Sequence, residues 1–241
     1  MLESGVVLDV LRHLRSVLYT IPLCLLATAL LICGGLLTAT EDGARAQRAL
    51  FKCWAQWILW ICRLRVRAHG VADLEPDGAY VFASNHTSIL DAPILIAAIP
   101  NDLCFLVTCR FIPVLELFLR RTGQIGIRRN NATQESRSLE EAADAFSNES
   151  RSLVVFPEGH RSAMCRAPFR DDAAHLAISS ARPLVPVRVE GVRAALPGKS
   201  TLIIGGTVDV YVGSPTPTRG LDARTATNKL RDQIAALAHL H

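Results

Sequence analysis

At 241 residues the chain is long enough for one large domain plus an appendage. Half of the residues are hydrophobic and the mean hydropathy is positive, which is high for a soluble enzyme. The net charge of +4 comes without aromatics interleaved among the basic residues of the later chain, which excludes nucleic-acid binding and suits an anionic membrane surface and anionic substrates.

The hydrophobic excess lies at the front. Val17 to Thr40 carries no formal charge and is dense in Leu, Ile and Ala. It is long enough to cross a bilayer core of ~30 Å as a helix. A secretory signal usually has a shorter apolar part, and Thr38-Ala39-Thr40 is a poor cleavage site, so a retained membrane segment is expected. Phe51 to Cys62 follows with Trp54, Trp57 and Trp60, whose spacing of three puts them broadly on one side of a helix. Arg63, Arg65 and Arg67 come next; tryptophans beside arginines suit the headgroup level. Arg12 and Arg15 before the first segment, against Arg45, Arg48 and Lys52 after it, set no topology, and a hairpin in one leaflet and a spanning first helix both fit. The seven cysteines form no Cys-x-x-Cys pair and no zinc-type spacing. Reduced, buried thiols are the economical reading, placing the catalytic part on the cytoplasmic face of a membrane, the inner one in a bacterium.

Beyond the turn-rich Asp73 to Gly78, apolar runs predict strands at Leu64–Ala68, Ala79–Ala83, Leu103–Val107, Gln124–Ile127, Leu153–Phe156, Leu184–Val189 and Thr207–Val212. Helices are predicted at Ser88–Ala98, Pro113–Arg121, Gln134–Phe146, Arg170–Ala181 and Ala223–Ala238. The alternation argues an α/β fold, a mixed and largely parallel sheet flanked by helices, preceded by a membrane-embedded helical segment. The expected division is a membrane-associated two-helix segment over 1–63 and a catalytic domain over 64–241.

Two stretches carry the chemistry. In Asn85-His86-Thr87-Ser88-Ile89-Leu90-Asp91, a histidine precedes an aspartate with four residues between. On a continuous helix that step turns about 140° and the two face apart. With His86 in the loop before a helix opened by Ser88, the ring can fold back toward Asp91, as general base and orienting carboxylate. The plainer alternative is a capping box, Ser88 with Asp91. In Phe156-Pro157-Glu158-Gly159-His160-Arg161-Ser162, an apolar strand ends in a carboxylate, a glycine and an arginine. Glu158 is a candidate for substrate hydroxyls or for fixing arginines. Gly159 lets backbone N–H groups approach an anion, and Arg161 is a candidate phosphate ligand. Arg129 closes another strand as a second candidate cation, with Arg128 on the opposite face. The isolated alternative for Glu158 and Arg161 is a turn with a surface ion pair.

His-x4-Asp followed by Phe-Pro-Glu-Gly resembles the glycerolipid acyltransferases, whose best-known type acylates 1-acylglycerol 3-phosphate. Gly123-Gln124-Ile125-Gly126-Ile127-Arg128-Arg129 and Leu184-Val185-Pro186-Val187 resemble two further blocks in the family's order, and the likeness runs from about Gly70 to Val212. It implies a membrane-bound O-acyltransferase with acyl-CoA or acyl carrier protein as donor, a lysophospholipid acceptor, and no metal or organic cofactor. It also implies His86 and Asp91 as catalytic residues and Arg129, Glu158, Gly159 and Arg161 as substrate-binding residues. His160 stands where the family usually has threonine, and Asp171-Asp172 where it has a basic residue and a glycine. Two carboxylates near a phosphate site repel it and favour a zwitterionic or amine-bearing acceptor; at a helix start they only meet the helix dipole. Glycerol 3-phosphate is another acceptor of the class. A thioesterase would replace the lipid alcohol by water, but the chain has no Gly-x-Ser-x-Gly. A non-catalytic lipid-binding protein has only the altered Asp171-Asp172 in its favour.

Overall fold

A computed structural model of the chain describes residues 11, 13–37, 44–108, 117, 119, 121–129, 131–147, 150–159, 168–196 and 203–237. All seven predicted strands form. They are β1 (Leu64–His69), β2 (Val81–Ser84), β3 (Leu103–Thr108), β4 (Ile125–Ile127), β5 (Ser152–Val155), β6 (Leu184–Glu190) and β7 (Gly206–Val212). They make one sheet in the order β1-β7-β6-β2-β5-β3-β4. The central pairings β6–β2, β2–β5, β5–β3 and β3–β4 are all parallel. Every residue of β2 and β5 is buried, as expected of parallel strands covered on both faces.

The helices are α1 (Ile21–Leu37), α2 (Ala44–Ile61), α3 (Asp91–Ala98), α4 (Ala132–Ser147), α5 (Asp172–Ser179), α6 (Val192–Ala195) and α7 (Ala223–Ala236). A π-helical turn, Ser16–Thr20, leads into α1. The predicted helix Pro113–Arg121 falls mostly outside the described residues. α2 begins well before the predicted Phe51, because its first turns, with Arg45, Arg48 and Lys52, are polar and only its later part carries the apolar signal.

The chain divides into two units. The first comprises Met1–Arg67, Thr87–Ala98 and Glu190–Val210. Within it α2 packs against both α1 and α3, burying Ala55, Ile58, Leu59 and Cys62. Gly34 permits the close approach of α1 to α2, since a Cβ there would stand 2.9 Å from Leu50 Cδ2. Trp54 Nε1 donates to Thr28 Oγ1 at 3.4 Å, so this tryptophan turns partly inward. Trp57 and Trp60 are 57% and 79% exposed, so the three do not share one environment. The front of α1 is tied down from far along the chain: Ile203 N donates to Ser16 Oγ at 2.9 Å, and Arg15 Nη2 donates to Ile203 O at 2.5 Å.

The second unit comprises Ala68–His86, Ile99–Val189 and Tyr211–His241. Its core joins Phe146, Leu153, Val155, Phe169, Leu176 and Leu230. The chain passes from this unit to the first between His86 and Thr87.

Candidate active site

The parallel pairing sets the site. Ala83 of β2 stands beside Val155 of β5 and Ser84 beside Val187 of β6. The loops that follow β2 and β5 therefore leave the sheet at the same, carboxyl end, where ligands of open α/β sheets bind. β3 and β4 run parallel to β5, so Arg129, just beyond β4, emerges at that end too.

His86 is partly exposed and held on two sides. Its backbone N–H donates to Glu158 Oε1 at 3.2 Å, and its ring stacks on Phe156, centroids 4.1 Å apart and planes 20° apart. The preceding Asn85 is buried and clamps β6 with a reciprocal pair of bonds: Nδ2 donates to Val189 O at 3.0 Å and Oδ1 accepts from Val189 N at 2.8 Å. The Val189 backbone and the Glu158 carboxylate thus fix the loop that carries the histidine.

Asp91 is fully buried. Its carboxylate accepts from the N–H groups of Thr87 at 2.7 Å and Ser88 at 2.8 Å, and from Thr87 Oγ1 at 3.4 Å. α3 starts at Asp91, not at Ser88, because the aspartate reaches back and folds Ser88–Leu90 into a turn. The capping function is therefore present, and it shapes the segment immediately after His86.

Arg129 lies in a cleft of about 660 Å³ that Glu158, Gly159, Arg170 and Arg224 also line. Its guanidinium is engaged three ways: with Thr108 Oγ1 at 3.3 Å, with Glu135 of α4, and with Asp172 at 2.5 Å. Arg170 binds Glu135 and approaches Asp172 at 3.4 Å. Asp171 is the N-cap residue of α5 yet makes no side-chain cap bond, and pairs instead with the exposed Arg224 at 3.5 Å. Asp172, with its side chain 7% exposed, is thus an ion-pair partner inside the cleft rather than only a charge at a helix start. Among the described residues, three arginines and four carboxylates line the cleft. Arg128, one residue before, is exposed and is not among the lining residues of this cleft.

The sequence pattern singled out Glu158, but its burial and its bond to the His86 backbone emerge only from the fold. Asn85, Phe156, Glu135 and Arg170 carried no individual signal, although Asn85 beside the histidine of a motif and a Glu in the first turn of a helix were visible cues. His160 and Arg161 lie outside the described residues.

A family model described as acyltransferase matches residues 65–190, more than half of the chain. The chain belongs to the acyltransferase family. The chain is 26% identical over 232 residues to the 1-acyl-sn-glycerol-3-phosphate acyltransferase of Saccharomyces cerevisiae, covering 93% of this chain and 76% of that one. It is 27% identical over 177 residues to the human alpha enzyme of that name, covering 68% of this chain and 59% of that one. The Limnanthes douglasii enzyme of that name is 29% identical over 141 residues, 57% of this chain and 50% of its own length. The chain therefore spans between half and three quarters of these relatives. The crystal structure of the 1-acyl-sn-glycerophosphate acyltransferase PlsC from Thermotoga maritima shares the fold, with a TM-score of 0.74 at 19% identity, over 95% of this chain and 99% of that one.

In this acyltransferase the turn after β5 depends on Gly159, whose φ of 69° lies in the left-handed region. An added Cβ would also stand 3.0 Å from Arg170 Cδ. Gly159→Ala is expected to lower the unfolding free energy by about 1–2 kcal/mol through backbone strain. Thermal melting of the purified variant checks this, and an unchanged midpoint would contradict it.

Proposed function

We propose that the chain moves a fatty acyl group from an acyl thioester to the hydroxyl of a lysophospholipid, with 1-acylglycerol 3-phosphate as acceptor and phosphatidic acid as product. The observation that carries this reading is the placement of His86 and the Phe156–Gly159 turn at the carboxyl ends of two adjacent parallel strands, with the Glu158 carboxylate on the His86 backbone. The relatives' names supply the acceptor. The His86 imidazole takes the proton of the acceptor hydroxyl as its oxygen bonds to the thioester carbon. The carbonyl π-electrons move to oxygen, where backbone N–H groups stabilise the charge. They return as the C–S bond breaks, and the departing sulfur takes the proton from the imidazolium. Asp91, five positions further along the chain at the start of α3, orients the ring and stabilises its charge. Arg129 and Arg161 hold the acceptor phosphate, with Glu158 and Gly159 shaping the turn beside it. The donor is acyl-CoA or acyl carrier protein.

A second reading concerns the acceptor. Because Glu135 and Asp172 already satisfy Arg129, a headgroup carrying both an anion and an amine meets less repulsion here than a phosphate monoester does. One experiment separates the readings. The purified protein is incubated with 1-acylglycerol 3-phosphate, a lyso-aminolipid and glycerol 3-phosphate, each with both donors, and products are weighed by mass spectrometry. Phosphatidic acid supports the first reading and an acylated aminolipid the second. Free fatty acid as the sole product overturns both in favour of a thioesterase.

Membrane attachment through residues 1–63, with 64–241 carrying the chemistry on the cytoplasmic face, belongs to the same proposal. Among the described residues one helix, His13–Gly35, is long and apolar enough to cross a bilayer, and most of it is not buried within the protein. Leu18, Leu25, Leu26 and Leu30 are each more than half exposed. The full chain is therefore expected to remain in the membrane pellet after extraction with alkaline carbonate. Recovery in the supernatant would show a peripheral protein.

A further inference from the structure

Two clefts among the described residues treat their arginines in opposite ways. Each described arginine of the cleft around Arg129 is paired with a carboxylate. A second cleft, about 690 Å³ and lined by described residues of the first unit, gathers Arg15, Arg63 and Arg65 with no carboxylate among its described lining residues. The side chains of Arg63 and Arg65 are exposed. No carboxylate pairs with any of the three among the described residues, although Arg15 Nη2 donates to Ile203 O. Arg15 Nε is buried without a hydrogen-bond partner. Three cations gathered without counter-charge among the described residues create a demand for an anion.

The geometry points to a binding site for the headgroup of an anionic phospholipid of the surrounding bilayer, separate from the catalytic cleft. Two further observations select a lipid over a small anion, and a third concerns how Arg63 is held. Tyr19 and Trp60 flank the arginines and are 65% and 79% exposed, the residue types that settle at the headgroup level. From Tyr19 an exposed stripe continues through Leu23, Leu26 and Leu30, steps of four, three and four that follow one face of the helix and offer a track for an acyl chain. Arg63 itself occupies a left-handed backbone position, φ 55°, where glycine is the unstrained choice. Its carbonyl accepts from Gly206 N at 3.1 Å, so the turn from α2 into β1 is fixed and the side chain is delivered to the cleft. Retaining an arginine there costs backbone energy that its charge must offset.

The site does not depend on the reaction, so the test needs no turnover. The full chain in neutral detergent is titrated with short-chain phosphatidylglycerol, short-chain phosphatidylcholine and inorganic phosphate, and tryptophan fluorescence is followed, with Trp60→Phe as the reporter control. A saturable response to phosphatidylglycerol alone, lost in Trp60→Phe, is expected. Equal responses to phosphatidylcholine, or to inorganic phosphate, would overturn the anionic-lipid site. The double variant Arg63→Gly with Arg65→Gln should weaken phosphatidylglycerol binding roughly tenfold or more. Arg63→Gly alone should weaken binding while leaving the melting temperature equal or higher, since it relieves the strained φ. The control Arg67→Gln with Arg193→Gln removes the same charge from exposed positions outside the cleft and should leave the affinity unchanged. An equal loss in the control would show diffuse attraction to anionic lipid and no defined site. Unaltered affinity in the cleft double variant would equally overturn the proposal.

Discussion

His86→Ala is expected to lower acyl transfer by about 10²–10⁴-fold, the range of general-base catalysis, while the protein stays folded and membrane-bound. The ring is partly exposed and stacks on Phe156, and it is not one of the buried core residues, so its loss removes little of the core. The bond that fixes the loop is made by the His86 backbone N–H to Glu158, which alanine retains. A single-turnover assay with radiolabelled thioester reads the effect. Retention of more than about a tenth of the rate, a loss under ~1.4 kcal/mol, would remove His86 from the base role. Asp91→Asn supplies the complementary reading. It keeps one carbonyl oxygen for the Thr87 and Ser88 N–H groups but abolishes the charge that steadies an imidazolium. A fall in rate with a small change in melting temperature supports the orienting role; lost stability at unchanged rate assigns Asp91 to the turn alone.

Arg129→Ala is expected to cost about 3 kcal/mol of stability, because it takes a charge partner from both Asp172 and Glu135 in a cleft where Asp172 is buried. Arg170 compensates in part, since it contacts both carboxylates and is itself 39% exposed. Chemical denaturation measures the loss. Kinetics on Arg129→Lys then separates structure from binding. Lysine preserves the charge but not the fork that spans Glu135 and Asp172. If Arg129 also holds the acceptor phosphate, the apparent KM for 1-acylglycerol 3-phosphate rises severalfold in Arg129→Lys with kcat little changed. If it serves only the ion-pair network, stability falls and KM stays put.

The order and type of the elements were legible along the chain because each rests on local pattern. The apolar runs of β2 and β5 mark parallel strands buried on both faces. The motifs were legible for the same reason, since His86 and Asp91 lie within one loop-to-helix segment. Helix starts were less so. The start of α3 moved to Asp91 because a buried side chain, and not the backbone, satisfies the N–H groups of Thr87 and Ser88. The polar first turns of α2 hid its true length.

What the sequence determined by itself is the α/β alternation, the acyltransferase motifs and the apolar front helix, all set by periodicity and by residue types close along the chain. Only the tertiary structure decided the partners of the charges. Asp172 reads locally as the acidic start of a helix, yet it meets Arg129 across 43 positions, in a cleft built by packing α4 and α5 beside β4. Asn85 reads as an ordinary loop residue, yet it clamps Val189 104 positions away. Arg15 and Arg65 read as flanking charges of unrelated segments until the fold brings them into one cleft. Electrostatic interaction depends on separation in space and on burial, and neither is encoded in the identity of the nearest neighbours along the chain.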